Sequence, residues 1–257
     1  MGNCSPSCLH KMGTNPLSRF AFLDASRGVA ILLMVIYHFS YDLDYFHFVD
    51  WDLYNSPYWI HFRSLIVTLF ISIAGISLAL ACRHTLITTA YLRRLSLLIA
   101  CALLISIVSY LMFQHRYIFF GILHFIAVAS ILGLLFVRRF WLSLSVGVLC
   151  LFVGGWVQHP LFNQPSLQWF GLMTHKPRTE DYVPLLPWFG VFLIGIACGE
   201  QLQRLTKTLK RFTQTMQQTG HPLLIWLGKR SLWIYLLHQP LLMGVLWLGM
   251  TIKRLFG

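Results

Sequence analysis

The chain has 257 residues, of which 57% are hydrophobic and only 11% are charged, and its mean hydropathy is +0.66. Since a soluble domain is about 45–50% apolar and about 25% charged, this composition excludes an ordinary soluble protein and indicates an integral membrane protein. The net charge of +12 does not indicate a nucleic-acid-binding protein, because the basic residues cluster between apolar runs, as they do in cytoplasmic loops.

Apolar runs of about the 20 residues that a helix needs to cross a bilayer recur along the chain. They predict an all-α membrane bundle of about seven transmembrane helices in one domain, residues 19–257, behind a disordered leader, residues 1–18. The helices are predicted near residues 20–41, 59–81, 92–113, 117–137, 140–158, 184–202 and 223–251. In the last of these, Lys229, Arg230 and Pro240 predict a short interfacial or re-entrant turn followed by a kinked span.

The basic residues between the runs predict the orientation of the bundle. With a cytoplasmic N-terminus, 14 of the 20 Lys and Arg residues fall on the inner side and 6 on the outer side. The loop after the first helix then faces outward, and it carries half of the acids of the chain: Asp42, Asp44, Asp50 and Asp52. We therefore expect a multi-pass protein of the cell inner membrane.

The first predicted helix carries a polar stripe within LDASRGVAILLMVIYHFSYD, residues 23–42. At about 100° per residue, Arg27 lies within about 20° of His38 around the helix and Asp24 within about 40°, while Asp42 follows one turn later. A charge at membrane depth costs at least roughly 2.5–3.5 kcal/mol, so this face should point into the bundle. The rise of about 1.5 Å per residue places His38 some 16 Å outward from Arg27. The stripe therefore links the two sides of the membrane.

Each group in the stripe has a structural alternative. Asp24 and Arg27 could form an ion pair that fixes the helix end, or Arg27 could bind a ligand. His38 could be a packing residue, but an acid one turn away favours a function, with Asp42 holding the imidazole tautomer.

Other polar residues at membrane depth lie further along the chain. His124, in the fourth predicted helix, lies in the same outer half as His38, so both could face one cavity, unless His124 only bonds a neighbouring carbonyl. Ser231, Tyr235 and His238 are three and four residues apart and form one polar edge of the last helix. His238 could instead satisfy the carbonyls that Pro240 frees.

The outer ends of the helices add two more candidates. Asp181 precedes the sixth predicted helix, where it could be a helix cap or a second carboxylate at the outer mouth of the site. Trp188 could belong to an interfacial aromatic belt or stack on a sugar.

Five segments of the chain, in this order, resemble the bacterial branch of the heparan-alpha-glucosaminide N-acetyltransferase catalytic-domain family: LDASRGVAILLMVIYHFSYDLDYF, AGISLAL, FGILHFIAVASIL, DYVPLLPWFGVFLIGIACG and LGKRSLWIYLLHQPLL. The similarity covers nearly the whole chain from Arg19 onward. The ten residues between Arg27 and His38 also resemble the wider transmembrane acyltransferase superfamily.

The resemblance implies transfer of an acetyl group from cytoplasmic acetyl-CoA, as co-substrate, to an acceptor on the far side of the membrane. The acceptor is an amino sugar in the eukaryotic members, and for this chain we expect an envelope glycan, a lipid-linked sugar or a small metabolite. We expect no metal, no haem and no nucleic acid.

The resemblance also suggests a role for each candidate residue. His38 would be the general base or the acetyl carrier, Asp42 would orient it, and His124 or His238 would stabilise the thioester oxyanion. The candidates for binding CoA are Asp24, Arg27, Ser231 and Tyr235. The candidates for binding the acceptor are His47, Asp181 and Trp188.

Several alternatives stay open at this point. In eukaryotic members of the family the proposed catalytic histidine lies in the loop after the first helix, which makes His47 an alternative to His38. Direct transfer, an acetyl-histidine intermediate, N-acetylation, O-acetylation and a homo-oligomer all remain compatible with the sequence. The stripe could also be a proton or substrate path of a transporter or channel, or supply a histidine ligand to haem.

Overall fold

The computed structural model describes residues 21–53, 55–82, 87–177, 179, 181–208 and 220–256, so the predicted leader lies outside the described residues. Within them the chain forms eight α-helices and no strand. The helices are α1 (Ala21–Tyr45), α2 (Pro57–Ala81), α3 (Thr89–Phe113), α4 (Ile122–Gly133), α5 (Phe140–Trp156), α6 (Leu185–Thr208), α7 (Pro222–Lys229) and α8 (Ser231–Phe256). The predicted all-α membrane bundle is confirmed.

Five of these helices are long and apolar enough to cross a membrane: α1, α2, α3 up to Met112, α6 up to Leu205 and α8 up to Ile252. The apolar helices α4 and α5 are shorter. The chain is therefore a multi-pass membrane protein.

The fourth helix is shorter than the predicted 117–137, because its N-terminus lies inside the bundle. Serines of α3 bond the backbone that leads into it: Ser106 Oγ donates to Ile118 O at 2.6 Å, and Ile118 N donates to Ser109 Oγ at 2.9 Å. Irregular backbone is tolerated at membrane depth only where such partners exist. The segment before α4 can therefore enter the bundle without a helical turn.

The last predicted helix, 223–251, is two helices. The chain breaks between α7 and α8 at Arg230, whose guanidinium lies 4.4 Å from the centre of the Trp226 ring. A short segment thus precedes a long span, as predicted. Pro240 lies within α8 and does not end it.

Helices α1 and α7 touch backbone to backbone. A Cβ atom added at Gly28 would overlap the backbone of Leu224, and one added at Gly228 would overlap the carbonyl of Asp24. Small residues allow this close approach of membrane helices. In a bilayer, van der Waals packing drives helix association instead of the hydrophobic effect. The contact places α8, which continues from α7, beside the half of α1 that carries His38.

We expect Gly228→Ala to lower the unfolding temperature of the purified protein in detergent. Overpacking costs about 1–3 kcal/mol, and here the atom in the way is backbone that cannot rotate aside. The control is Gly244→Ala in α8, since no atom lies within 4 Å of a Cβ at Gly244 and Ala favours a helix. Equal unfolding temperatures for the two variants would contradict the close packing of α1 and α7.

The main core lies between α2, α4 and α6. Its fully buried members include Ile71, Phe125, Phe192 and Ile196. Gly195 of α6 lies against the backbone of Ser72 in α2, so these helices also approach closely. The closely packed core of α2, α4 and α6 therefore lies next to α1 and α8.

Candidate active site between the first and last helices

His38 is half-buried on the face of α1 that meets α8, and its own helix fixes the ring. The Nδ1 atom lies 2.9 Å from the carbonyl oxygen of Met34. Because that carbonyl can only accept, Nδ1 carries the proton and Nε2 keeps the lone pair in the neutral ring. His38 can therefore act as a base or a nucleophile through Nε2.

The predicted pairing of His38 with Asp42 is wrong. A helical side chain leans towards the N-terminus of its helix, so the imidazole of His38 reaches the carbonyl of Met34 one turn before it. Helix α1 also continues to Tyr45, so Asp42 lies in the helix and not in the outer loop. Its carboxylate is fully buried and bonds to the last helix.

Gln239 of α8 is the partner of Asp42. Its Nε2 donates to Asp42 Oδ1 at 2.7 Å and joins residues 197 positions apart. Sequence reasoning missed Gln239, because nothing in the pattern of α8 tells which side chain meets α1. Its place between His238 and Pro240 was the only available signal.

His238 stands beside His38. The two ring centroids are 4.8 Å apart, and the ring planes meet at 71°. The Nδ1 atom of His238 donates to Tyr235 O at 2.8 Å, which leaves Nε2 as the lone-pair nitrogen. His238 is 9% exposed while Leu237 is 54% exposed, so α8 buries only a narrow edge here. The contact brings the two imidazole rings together between the helices.

Tyr235 connects this histidine pair to the start of α4. Its hydroxyl donates to Asp181 Oδ2 at 3.1 Å, and Ile122 N donates to the same oxygen at 2.9 Å. From the sequence, Asp181 could cap the sixth helix or serve as a second carboxylate of the site, and the structure instead shows its carboxylate bound to the first backbone N–H of α4. The reason is that Val183 N bonds Phe120 O at 3.2 Å, which fastens this loop to the segment before α4. Ser231, the other candidate on this edge, lies half-buried at the first position of α8.

Burial raises the pKa of Asp181, and the hydrogen bonds from Ile122 and Tyr235 and the electrostatic interactions with His124 and Lys176 oppose the rise only in part. A carboxyl with a raised pKa binds more protons in the folded state than in the unfolded chain. The free energy of unfolding should therefore fall as the pH rises from the usual pKa of a carboxyl to the raised pKa of Asp181.

We expect Asp181→Asn to unfold at a higher temperature than the wild type at neutral pH. A single Asn oxygen can still accept both hydrogen bonds, because one oxygen of Asp181 already does so. The advantage of the variant should grow as the pH rises above the usual carboxyl range, since only the wild type must ionise a buried group. Unfolding temperatures at several pH values would measure the difference, and a difference that shrinks as the pH rises would contradict the raised pKa.

His124 does not join the histidine pair. Its Nδ1 accepts from Gly121 N at 3.3 Å, so Nε2 carries the proton and meets Ser106 Oγ at 3.0 Å. Both nitrogens are thus used in holding the start of α4. The cavity of about 180 Å³ that His124 lines is formed by α3, α4 and Phe120, and His38 is not part of its wall. The expected cavity shared by the two histidines is not found there, and His124 is placed as a positioning residue of α4.

His47 and Trp188 lie apart from the histidine pair. His47 is exposed beyond the end of α1, with a left-handed backbone at φ 58°. Trp188 is half-buried and packs against the main core. Sequence reasoning instead missed an aromatic series that leads from the loop after α1 to His38. Trp51 stacks on Trp59 with 5.6 Å between centroids, Trp59 meets Tyr37 at 6.1 Å, and Tyr37 meets His38 at 5.6 Å.

Arg27 lies at the other end of the stripe, and its partners include Asp24 and Ser77. Its Nη1 donates to Asp24 Oδ1 at 2.5 Å, and its Nη2 donates to Ser77 Oγ of α2 at 2.6 Å. The ion pair considered from the sequence is therefore present, and the contact with Ser77 adds a partner that the sequence did not indicate. A quarter of the Arg27 side chain stays exposed.

The sequence also matches a known family. The family model described as heparan-alpha-glucosaminide N-acetyltransferase, catalytic, matches residues 19–240. No curated protein and no solved structure matches the chain. The matched region runs from before α1 to Pro240 in α8, so it includes the stripe of α1, the loop with Asp181 and the histidine pair.

Proposed function

Because the chain belongs to the heparan-alpha-glucosaminide N-acetyltransferase catalytic family, we propose that it transfers an acetyl group from cytoplasmic acetyl-CoA to an amino sugar or related envelope glycan on the opposite side of the inner membrane. His38 is the general base or the acetyl carrier of this proposal. The observation that carries it is the pair of imidazoles between α1 and α8, whose Nε2 lone pairs are not used by their own helices.

Arg27 supports the direction of the transfer. It begins the polar stripe about 16 Å from His38, a span comparable to an extended pantetheine arm. A guanidinium binds phosphate through charge-assisted hydrogen bonds, and in this proposal the partly exposed side chain of Arg27 binds the phosphates of CoA. The thioester would then lie near His38 while the nucleotide stays at the Arg27 end.

In direct transfer, His38 Nε2 takes a proton from the acceptor amine or hydroxyl. The freed nitrogen or oxygen bonds to the thioester carbonyl carbon, the carbon–sulfur bond breaks, and the proton passes from His38 to the leaving thiolate, so that CoA departs as the thiol. In the carrier route, Nε2 bonds to the acetyl carbon, the carbon–sulfur bond breaks, and CoA leaves as the thiolate while the ring becomes an acetyl-imidazolium. The acceptor nitrogen or oxygen then bonds to the acetyl carbon, the bond to Nε2 breaks, and Nε2 takes the proton of the acceptor and releases it to solvent. The neutral tautomer fixed by Met34 suits both routes.

The proposal is tested with purified protein in sealed vesicles. Radiolabelled acetyl-CoA is supplied on one side, and amine or hydroxyl acceptors that cannot cross the bilayer are supplied on the other. Labelled acetyl-acceptor that forms only in vesicles containing the protein would support acetyl transfer across the membrane. A transporter without chemistry would leave the label on CoA, and that result would overturn the proposal.

A further inference from the structure

Three buried polar atoms between α1 and α8 lack a hydrogen-bond partner among the residues that the structure describes. They are Asp42 Oδ2, His238 Nε2 and Gln239 Oε1. The only other such atom in the described part of the chain is Asp24 Oδ2, at the far end of the stripe. Since buried polar groups in proteins are nearly always bonded, three on neighbouring residues of one helix contact indicate a missing partner.

All three atoms are hydrogen-bond acceptors. The carboxylate of Asp42 can only accept hydrogen bonds. Gln239 turns its NH₂ group to Asp42 Oδ1, so the side-chain carbonyl oxygen of Gln239 faces away from that carboxylate oxygen. His238 has spent its N–H on Tyr235 O, so Nε2 offers a lone pair. The missing partner must therefore supply donors, and more than one of them.

We propose that Gln239 is a specificity-determining residue that completes a subsite with Asp42 and His238 for a donor-rich reacting group of the acceptor. That the bound group belongs to the acetyl acceptor rests on the proposed function, whereas the subsite itself rests on the unpartnered atoms. A primary ammonium group presents three N–H donors and a positive charge, which match three acceptors and one carboxylate. In this subsite His238 Nε2 takes one proton so that the amine nitrogen gains the lone pair with which it attacks the thioester, and His38 takes the second proton during the transfer. A hydroxyl presents one donor and leaves two acceptors unmet.

Gln239 acts in two ways within this subsite. Its Nε2 holds the buried carboxylate of Asp42 in place across the helix contact, and its Oε1 faces the bound group. Removing the amide should weaken binding of an amine about tenfold to a hundredfold, as expected for lost hydrogen bonds to charged groups. The KM for acetyl-CoA should stay unchanged, because nothing at the Arg27 end is altered.

The test measures binding of glucosamine, glucose and N-acetylglucosamine to the purified full chain by calorimetry, in a detergent without sugar headgroups and without acetyl-CoA. Gln239→Met keeps the size of the side chain and removes its polar atoms. Gln203→Met is the matched control, because Gln203 also bonds between helices, with Nε2 2.7 Å from Ala79 O, but between α6 and α2. Asp42→Asn is a second variant in case Gln239→Met does not fold.

The wild type is expected to bind glucosamine more tightly than either neutral sugar. Gln239→Met and Asp42→Asn should lose this preference, whereas Gln203→Met should keep it. Equal binding by Gln239→Met and Gln203→Met would overturn the role of Gln239, and binding of none of the sugars would mean that the three atoms hold only water. If glucosamine binds but no acetyl group is ever transferred, the subsite stands and the proposed function fails.

Discussion

His38→Ala should lower acetyl transfer about 10²–10⁴-fold while the protein keeps its fold. The loss follows from the geometry, because His38 offers the lone pair of Nε2 at the α1–α8 contact and its Nδ1 is already committed to Met34. The substitution removes one intrahelical hydrogen bond from a half-buried position, so it should change the unfolding temperature little. Release of CoA per minute, with unfolding measured on the same sample, separates the two effects.

His47→Ala is the control for this prediction. His47 is exposed beyond α1 and makes no part of the histidine pair, so its removal should leave transfer close to that of the wild type. If His47→Ala were inactive and His38→Ala active, the assignment of the site would be wrong although the family assignment would stand. The stoichiometry of CoA release without acceptor then separates the two routes: one CoA per protein indicates an acetyl carrier, and none indicates direct transfer.

The shared polar face of α1 could be predicted because it depends only on helical geometry. Asp24, Arg27, His38 and Asp42 each meet a group within the bundle, and the structure keeps the ion pair that i,i+3 spacing indicates. The orientation of each side chain could not be predicted in the same way. The direction in which a helical side chain leans takes His38 to Met34, where spacing alone suggested Asp42.

The contacts between distant segments could not be predicted at all. Gln239 meets Asp42 across 197 residues, and Asp181 meets Ile122 across 59. These pairs depend on which helices touch, and that depends on close approaches such as Gly28 against Leu224. A glycine inside a helical pattern can permit close packing, but the sequence does not say which partner it meets.

Arg27→Met should raise the KM for acetyl-CoA about tenfold to a hundredfold, if its guanidinium binds the phosphates of CoA. The KM for the acceptor should stay unchanged, because the acceptor binds at the other end of the stripe. If Arg27 binds the 3′-phosphate, the difference in KM between the variant and the wild type should shrink with acetyl-3′-dephospho-CoA. The wild type then has no 3′-phosphate to bind and loses the interaction that the variant already lacks. Initial rates with both donors, for wild type and variant, give this comparison.

The ion pair with Asp24 provides the competing explanation and its control. Removing Arg27 leaves the buried carboxylate of Asp24 unpaired, and breaking a buried pair costs about 3–5 kcal/mol. The double variant Asp24→Asn/Arg27→Met removes that charge and should recover stability, but it should keep the high KM for acetyl-CoA. If the double variant instead matched the KM of Asp24→Asn alone, Arg27 would be a structural partner of α1 and α2, and the phosphates of CoA would have to bind elsewhere.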